Sequence, residues 1–267
     1  MNSFKDKVII VTGASEGIGR ALAIALAPLG CQLVISARNQ QRLASLASEL
    51  TILGLPPLVC AADLAQPSQC KSLIEACIAR FGRLDILINN AGMTMWSRFD
   101  ELTDLSVLSQ IMQVNYLAPA YLSHAAIPYL KQTEGQIVAV ASITGMTGVP
   151  ARSGYAASKH AVIGFFDSLR IELSDDNVAV TVICPDFVVT QTHKRALDGQ
   201  GNPLGTTPMQ ESKIMTADRC AQLMLPAIAQ RKRLLITSFR GRIGRFFKII
   251  APGLIDKITR NAIASGR

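Results

Sequence analysis

Long apolar runs are missing from this chain. Although 49% of its 267 residues are hydrophobic, no uninterrupted stretch is long enough to span a bilayer. The first apolar run, after Met1–Lys7, is too brief for a signal-peptide core and has no cleavage-like sequel, so the expected location is the cytoplasm or its membrane face. Paired cysteine motifs are missing too: Cys31, Cys60, Cys70, Cys77, Cys184 and Cys220 are scattered, form no Cys-x-x-Cys and sit mostly among apolar residues. That pattern argues for reduced, buried thiols and against a disulfide framework or a zinc site. His124, His160 and His193 share no ligand spacing, so no metal is expected. No linker, low-complexity tract or repeat divides the chain, and its length suits one α/β domain.

Acids are nearly absent from the C-terminal part. Residues 230–267 hold ten Lys/Arg and one acid, Asp256, a balance of +9, while the rest holds 17 basic and 18 acidic side chains, a balance of −1. The basicity belongs to the tail. Its only aromatics are Phe239, Phe246 and Phe247, without the interleaved stacking platforms of a single-strand binder, so no nucleic-acid partner is expected.

What is present is a series of short apolar strands, each followed by chemistry. Gln136–Ala141 reads as a buried strand, and Ser142 stands where it ends. Beyond a loop punctuated by Gly145, Gly148 and Pro150, Ser153–Leu173 has helical character. Tyr155 and Lys159 lie four residues apart on one face of that helix. A tyrosine exchanging a proton near neutral pH needs a pKa below its ordinary value of about 10, and an ammonium one turn away favours the phenolate. Ser142 would supply a hydroxyl to hold a substrate oxygen. At the other end of the chain, strand Val8–Val11 runs into Thr12-Gly13-Ala14-Ser15-Glu16-Gly17-Ile18-Gly19 and a helix that reaches Leu29. Strand, glycine turn and helix N-terminus are the context a dinucleotide phosphate site requires, the alternative being a merely structural βα turn.

Strand Gln32–Ser36 ends in Ala37 and Arg38, where a carboxylate would suit the ribose of NAD and an arginine suits the 2′-phosphate of NADP. Further on come strand Leu58–Ala62 with Asp63 and Leu64 at its end, helix Pro67–Phe81, and strand Leu84–Ile88 leading to Asn89-Asn90-Ala91-Gly92. A long helix, Asp104–Leu130, carries Asn115. Strand Asn177–Ile183 leads to Cys184-Pro185-Asp186, and Gln191–Thr216, rich in Gly, Pro, Thr and Gln, reads as a lid. Helix Ala217–Ala229 and a short strand Leu234–Thr237 follow. Six or seven strands alternating with helices predict a doubly wound, Rossmann-type parallel sheet of about seven strands, with every motif at a C-terminal strand end.

With these motifs in order, the sequence resembles the short-chain dehydrogenase/reductase family over nearly its whole length. Tyr155-Ala156-Ala157-Ser158-Lys159-His160-Ala161, Phe165-Phe166-Asp167 and Ala251-Pro252-Gly253-Leu254 are most similar to the branch near 11β-hydroxysteroid dehydrogenase and its orphan dehydrogenase/reductase relatives. The resemblance implies a general acid/base in Tyr155 and a lysine, Lys159, that tunes it and binds the nicotinamide ribose. It implies that Ser142 orients the substrate oxygen and that Asn115 holds a water linking Lys159 to solvent. Cofactor contacts are implied for Thr12, Gly13, Ser15, Gly17, Ile18 and Gly19 in the first turn, for Asp63 with Leu64 at the adenine, and for Asn89, Ala91 and Gly92 beside the adenosine. Pro185, Val188 and Thr190 are implied near the nicotinamide and phosphate. One position departs: after Pro185 the family usually has glycine, and here Asp186 could tilt the nicotinamide, repel the pyrophosphate or face solvent.

These readings converge on an NADP(H)-dependent oxidoreductase for a lipophilic ketone or secondary alcohol, in a pocket greased by Met93, Met95, Trp96, Met146 and Val149. The alternative is a catalytically idle NADP-binding sensor or scaffold, whose usual mark, loss of the tyrosine or lysine, is missing. Residues 1–238 form the expected catalytic domain and 239–267 a basic amphipathic extension. That extension, broken at Pro252 and Gly253, is expected to dock on an anionic membrane surface. Apolar residues beyond one stripe of the Asp104–Leu130 and Ser153–Leu173 helices point to a homo-oligomer, a dimer or tetramer.

Overall fold

Val8 to Thr12 are buried along their whole length, as a strand covered on both faces requires, and this is β1 (Val8–Thr12). The computed structural model describes residues 2–264; Met1 and residues 265–267, with the Arg267 cation of the tail, lie outside it. Around β1 lie β2 (Gln32–Ala37), β3 (Leu58–Ala61), β4 (Ile86–Asn89), β5 (Gln136–Val140), β6 (Ala179–Cys184) and β7 (Leu234–Ile236). All pairings are parallel, in the order β3-β2-β1-β4-β5-β6-β7, so the doubly wound sheet of seven strands is borne out. Only the edge strand β3 alternates between half-buried and exposed positions, as one uncovered side dictates.

Two cores clamp the sheet. Ile9 and Val11 face one, built with helices α1 (Gly17–Leu26), α2 (Gln40–Leu53) and the later Ala217–Ala229 helix. Val8 and Ile10 face the other, built with α3 (Pro67–Phe81) and two further helices, 118–132 and 153–172. From β1 the chain winds outward to β3, then crosses back to β4 and winds the other way. Ligands in such sheets sit at that reversal, beyond the C-terminal ends of β1 and β4. Thr12 Oγ1 ties these ends together, donating to Ile88 O (3.2 Å) and accepting from the Asn90 and Ala91 N–H groups (2.9 and 3.1 Å). At the opposite end Asp85 turns inward, so β4 starts at Ile86 rather than Leu84. Its carboxylate accepts from Lys7 Nζ (2.9 Å), Arg83 Nε and Nη2 (2.9 and 2.7 Å) and Val8 N (3.0 Å). Burial alone would raise its pKa; Arg83, the Val8 N–H and Lys7 outweigh that and hold it below the usual carboxylate range.

The expected single helix over Asp104–Leu130 is not continuous. It divides into α4 (Ser106–Met112), a π-helical turn Gln113–Leu117 and α5 (Ala118–Gln132). Asp104 stays outside α4, its carboxylate accepting from Ser106 N (2.9 Å) at the helix start. The widened turn has two causes. Pro119 has no N–H for the regular ladder, and the Asn115 side chain is pulled into bonds outside the helix. Then come α6 (Ser153–Glu172), α7 (Ala217–Ala229), α8 (Phe239–Ile250) and α9 (Pro252–Ala264). The tail therefore breaks at Ala251, with Pro252 opening α9 where its missing N–H costs nothing. No helix among the described residues is long and apolar enough to cross a membrane.

Candidate active site

The glycine turn leaves the start of α1 open. Glu16 occupies the N-cap without a side-chain capping bond, so the first N–H groups of the helix are unsatisfied and suit a pyrophosphate. Two glycines are obligatory by contact. A Cβ on Gly13 would stand 2.8 Å from Ala91 Cα, and one on Gly19 would stand 2.4 Å from Gly13 O. The Glu16 carboxylate pairs with Arg42 (2.6 Å) and with Arg195 of the lid. A cleft of about 730 Å³ starts here, lined by Gly13, Ser15, Gly17, Ile18, Arg38, Asp63, Leu64, Ala91 and Gly92. Thr12, Gly19 and Asn89 do not line it; they lie behind and fix the turn, Asn89 Nδ2 bonding to Ser123 Oγ (3.3 Å). Arg38 is exposed at the end of β2 and makes no ion pair or side-chain hydrogen bond with the described residues. These residues fit a dinucleotide.

The cleft continues to Ser142, Tyr155 and Lys159, then to Pro185, Val188 and Thr190. Ser142 follows the end of β5 in extended conformation and accepts from Thr144 N (3.2 Å). One turn of α6 separates Tyr155 from Lys159, whose buried ammonium donates to Val140 O (2.9 Å) and stands 5.8 Å from the tyrosine ring centre. Burial pushes the Lys159 pKa below its ordinary value, with the Tyr155 charge pulling the other way. Asn115 does not line the cleft. Its Nδ2 donates to Met93 O and Ser158 Oγ (both 2.9 Å) and its Oδ1 accepts from Met93 N (2.8 Å), which pins the Gly92–Met93 backbone to α6. A Cβ on Gly92 would stand 3.2 Å from Asn115 Oδ1 and 3.7 Å from Lys159 Nζ, so glycine keeps the space between them open.

Asp186 does something the sequence did not suggest. Its carboxylate accepts from Ser238 Oγ (2.6 Å), from Arg240 Nε and Nη2 (2.5 and 2.8 Å) and from Phe187 N (2.8 Å). The charge is spent on the start of α8. Burial would raise its pKa, but Arg240 and Ser238 outweigh that and hold it below the usual range.

The expected greasy pocket is corrected. Of its five residues only Met93 lines the cleft; Met95 is fully buried in a small core with Val107, Ile111 and Leu197, and Trp96, Met146 and Val149 stand outside. Phe187, Leu197 and Pro203 supply the apolar lining instead. The lid is pinned down: Leu197 N donates to Thr94 O (2.9 Å), Trp96 N to Leu197 O (2.8 Å) and Thr103 N to Gly199 O (2.9 Å). Arg152 and His193 also line the cleft, and neither was singled out from the sequence as a site residue. The signal for Arg152 was its place three residues, one helical turn, before Tyr155; His193 offered none. The His193 Nε2 lies 3.1 Å from Val188 O, which carries no proton, so Nε2 is the protonated nitrogen. Burial, then the Arg152 charge, push its pKa down to about 4.

Residues 7–201 match the sequence model of short chain dehydrogenases. The chain belongs to the short chain dehydrogenase family. A dehydrogenase/reductase SDR family protein 7-like from Dictyostelium discoideum is 35% identical over 272 residues, covering 99% of this chain and 84% of the relative. An 11-beta-hydroxysteroid dehydrogenase-like 4A from Arabidopsis thaliana is 38% identical over 261 residues, covering 96% and 84%. The crystal structure of a short chain dehydrogenase/reductase from Burkholderia phymatum in complex with NAD superposes with a TM-score of 0.84 at 26% identity, covering 95% of this chain and 96% of that one. The family supports an oxidoreductase that binds a nicotinamide cofactor.

Proposed function

We propose that the protein is an NADP(H)-dependent oxidoreductase that interconverts a lipophilic ketone and its secondary alcohol. The observation that carries this reading is the meeting of Ser142, Tyr155 and Lys159 in one cleft with an uncapped helix N-terminus. When bound, the nicotinamide supplies or accepts the hydride. Tyr155 gives its proton to the carbonyl oxygen in reduction and takes it from the alcohol in oxidation. The Lys159 ammonium stabilises the phenolate that remains, and Ser142 holds the substrate oxygen by a hydrogen bond. Arg38, without an ion-pair partner among the described residues, favours the 2′-phosphate of NADP(H) at the end of β2. Phe187, Leu197, Met93 and Pro203 favour a substrate with an apolar body. Residues 239–264 serve as a membrane-facing extension of the catalytic domain, and a homodimer through α5 and α6 is the assembly, for which a monomer by light scattering at micromolar concentration would be disproof.

Tyr155→Phe tests the chemistry. NADPH binding, followed by cofactor fluorescence, should stay within a few-fold of the parent, while reduction of ketones should fall by at least about 100-fold, the low end of what a positioned acid contributes. Retention of substantial turnover would place the acid elsewhere.

A further inference from the structure

A buried cation stands against the catalytic tyrosine with no carboxylate among the described residues to neutralise it. Arg152, the residue before α6, is 4% exposed. Its guanidinium carbon lies 4.5 Å from the Tyr155 ring centre, 5.4 Å from that of Trp96 and 5.5 Å from that of Phe187. Nη2 donates to Thr94 Oγ1 at 2.7 Å. Of the five N–H donors of a guanidinium, that is the only one with a hydrogen-bond partner among the described residues, and Nε is fully buried without one. No carboxylate among the described residues pairs with it; Asp186, the acid nearest in sequence to its Phe187 neighbour, is committed to Ser238 and Arg240. Aromatic faces attract the charge but offer no lone pair to its N–H groups. Buried charges are ordinarily paired and hydrogen-bonded, so the arrangement is complete only with an anion added.

Three anions come within reach of this cleft. Cofactor phosphates belong at the other end, where α1 begins and Arg38 stands. The Tyr155 phenolate exists only while the proton is away, and Lys159 already serves it. The remaining candidate is the substrate, because Arg152 lines the same cleft as Ser142 and Tyr155. Resting on the carbonyl-reductase reading above, we propose that the substrate is an oxo acid, or the matching hydroxy acid, whose carboxylate is held by Arg152 a few bonds from the carbon that exchanges hydride. The carboxylate takes no part in the transfer: hydride and proton move as in any carbonyl reduction, and the charge only positions the carbonyl. His193, which the Arg152 charge helps to keep neutral, adds no second cation. With the Lys159 ammonium bound to Val140 O and turned to Tyr155, the one guanidinium left over suits a monoanionic carboxylate better than a phosphate dianion.

The test uses the full chain with NADPH and a panel of medium-chain acids bearing a ketone a few carbons from the carboxyl. Each is compared with its methyl ester, and with an oxoalkyl phosphate of matched length. The parent should prefer at least one acid over its ester by about tenfold or more in kcat/KM, the value of a charged hydrogen bond. In Arg152→Gln that ratio should collapse to about one, through KM for the acid. Arg152→Lys should keep part of the preference, and it carries the same comparison should Arg152→Gln not fold. Equal turnover of acid and ester by the parent, better turnover of the phosphates, or equal loss for acid and ester in the variants would each overturn the proposal. Failure to reduce any carbonyl, charged or neutral, would instead defeat the oxidoreductase reading. Binding then decides the carboxylate separately: with NADPH present, the acids should raise the Tm of the parent and not of Arg152→Gln, and no rise would refute it.

Discussion

Arg38 and His193 illustrate opposite kinds of residue. Arg38 is read from position alone, as the first cation after β2, where an NAD enzyme would carry an acid. Its exposure means that a phosphate contact is partly screened by solvent, so Arg38→Ala should lower kcat/KM for NADPH by about tenfold and leave the value for NADH nearly unchanged, the low end of a charged hydrogen bond. Similar losses with both cofactors would show that Arg38 reads no phosphate. Ser142, Tyr155 and Lys159 were legible for the same reason, a spacing that fixes geometry within one loop and one helix. His193 and Arg152 were not, because their surroundings come from residues 94, 96, 187 and 188, brought together only by the fold. His193 makes a pH prediction. Its folded pKa, about 4, lies below the ordinary 6.5, so the unfolded chain binds the proton first as pH falls. Its contribution to stability is therefore full above 6.5 and declines as the pH drops toward 4. The decline amounts to about 3 kcal/mol at most. His193→Gln should flatten that part of the Tm-versus-pH curve; an unchanged slope would mean that His193 titrates normally.

At the scale of elements, the sequence marked strands and most helices because buried parallel strands read as continuous apolar runs and the helix starts carry caps and prolines. It could not mark the π turn at Gln113–Leu117: Pro119 is visible in the chain, but the contacts of Asn115 with Met93 and Ser158 are made only by the fold. Nor could it mark the coupling between the loop after β6 and the tail. Asp186 grips Ser238 and Arg240, and Gly241 packs so closely that a Cβ would stand 2.9 Å from Ile236 and 3.0 Å from Ile143, beside Ser142. The first turn of α8 is thus part of the wall behind the site. Arg240→Ala should loosen α8, raising amide hydrogen exchange over residues 239–250 and lowering stability by about 1 kcal/mol, since Arg240 is half exposed and partly screened. Exchange in the tail identical to the parent would show that packing at Gly241 suffices. The pH sign follows from the depressed Asp186 pKa: the clamp is intact above the ordinary carboxylate range and is lost as pH falls through the lower folded value, so neutral conditions leave it unchanged.

For the whole molecule, charge is segregated: the catalytic part is nearly neutral, and the basic tail forms two short helices. Among the described residues most of the tail's large apolar side chains stand off the protein. Phe246 is 62% and Ile249 79% exposed, with Phe239, Ile250, Leu254 and Ile258 also exposed, and only Ile255 is buried among the tail residues described. Some of its cations are committed, Arg240 to Asp186 and Lys248 to Asp256 at 2.7 Å. Arg242, Arg245, Lys257 and Arg260 form no ion pair with the described residues. At about 1 kcal/mol each near an anionic leaflet, these four would supply roughly 4 kcal/mol before any apolar burial. Insertion of Phe246, Ile249 and Ile250 among acyl chains would add more, and the anchored start of α8 would then hold the cleft at a fixed angle to the surface. The prediction is salt-sensitive co-sedimentation with phosphatidylserine-containing vesicles and little with neutral phosphatidylcholine vesicles. A chain stopped at Ser238 should lose it. Because that truncation also removes Arg240 and Gly241 from the wall behind Ser142, the cleaner variant replaces Phe246, Ile249 and Ile250 with serine, which touches none of that wall. Binding to neutral vesicles as strong as to anionic ones would remove the electrostatic part of the argument, and undiminished binding by the triple-serine chain would remove the tail from it altogether.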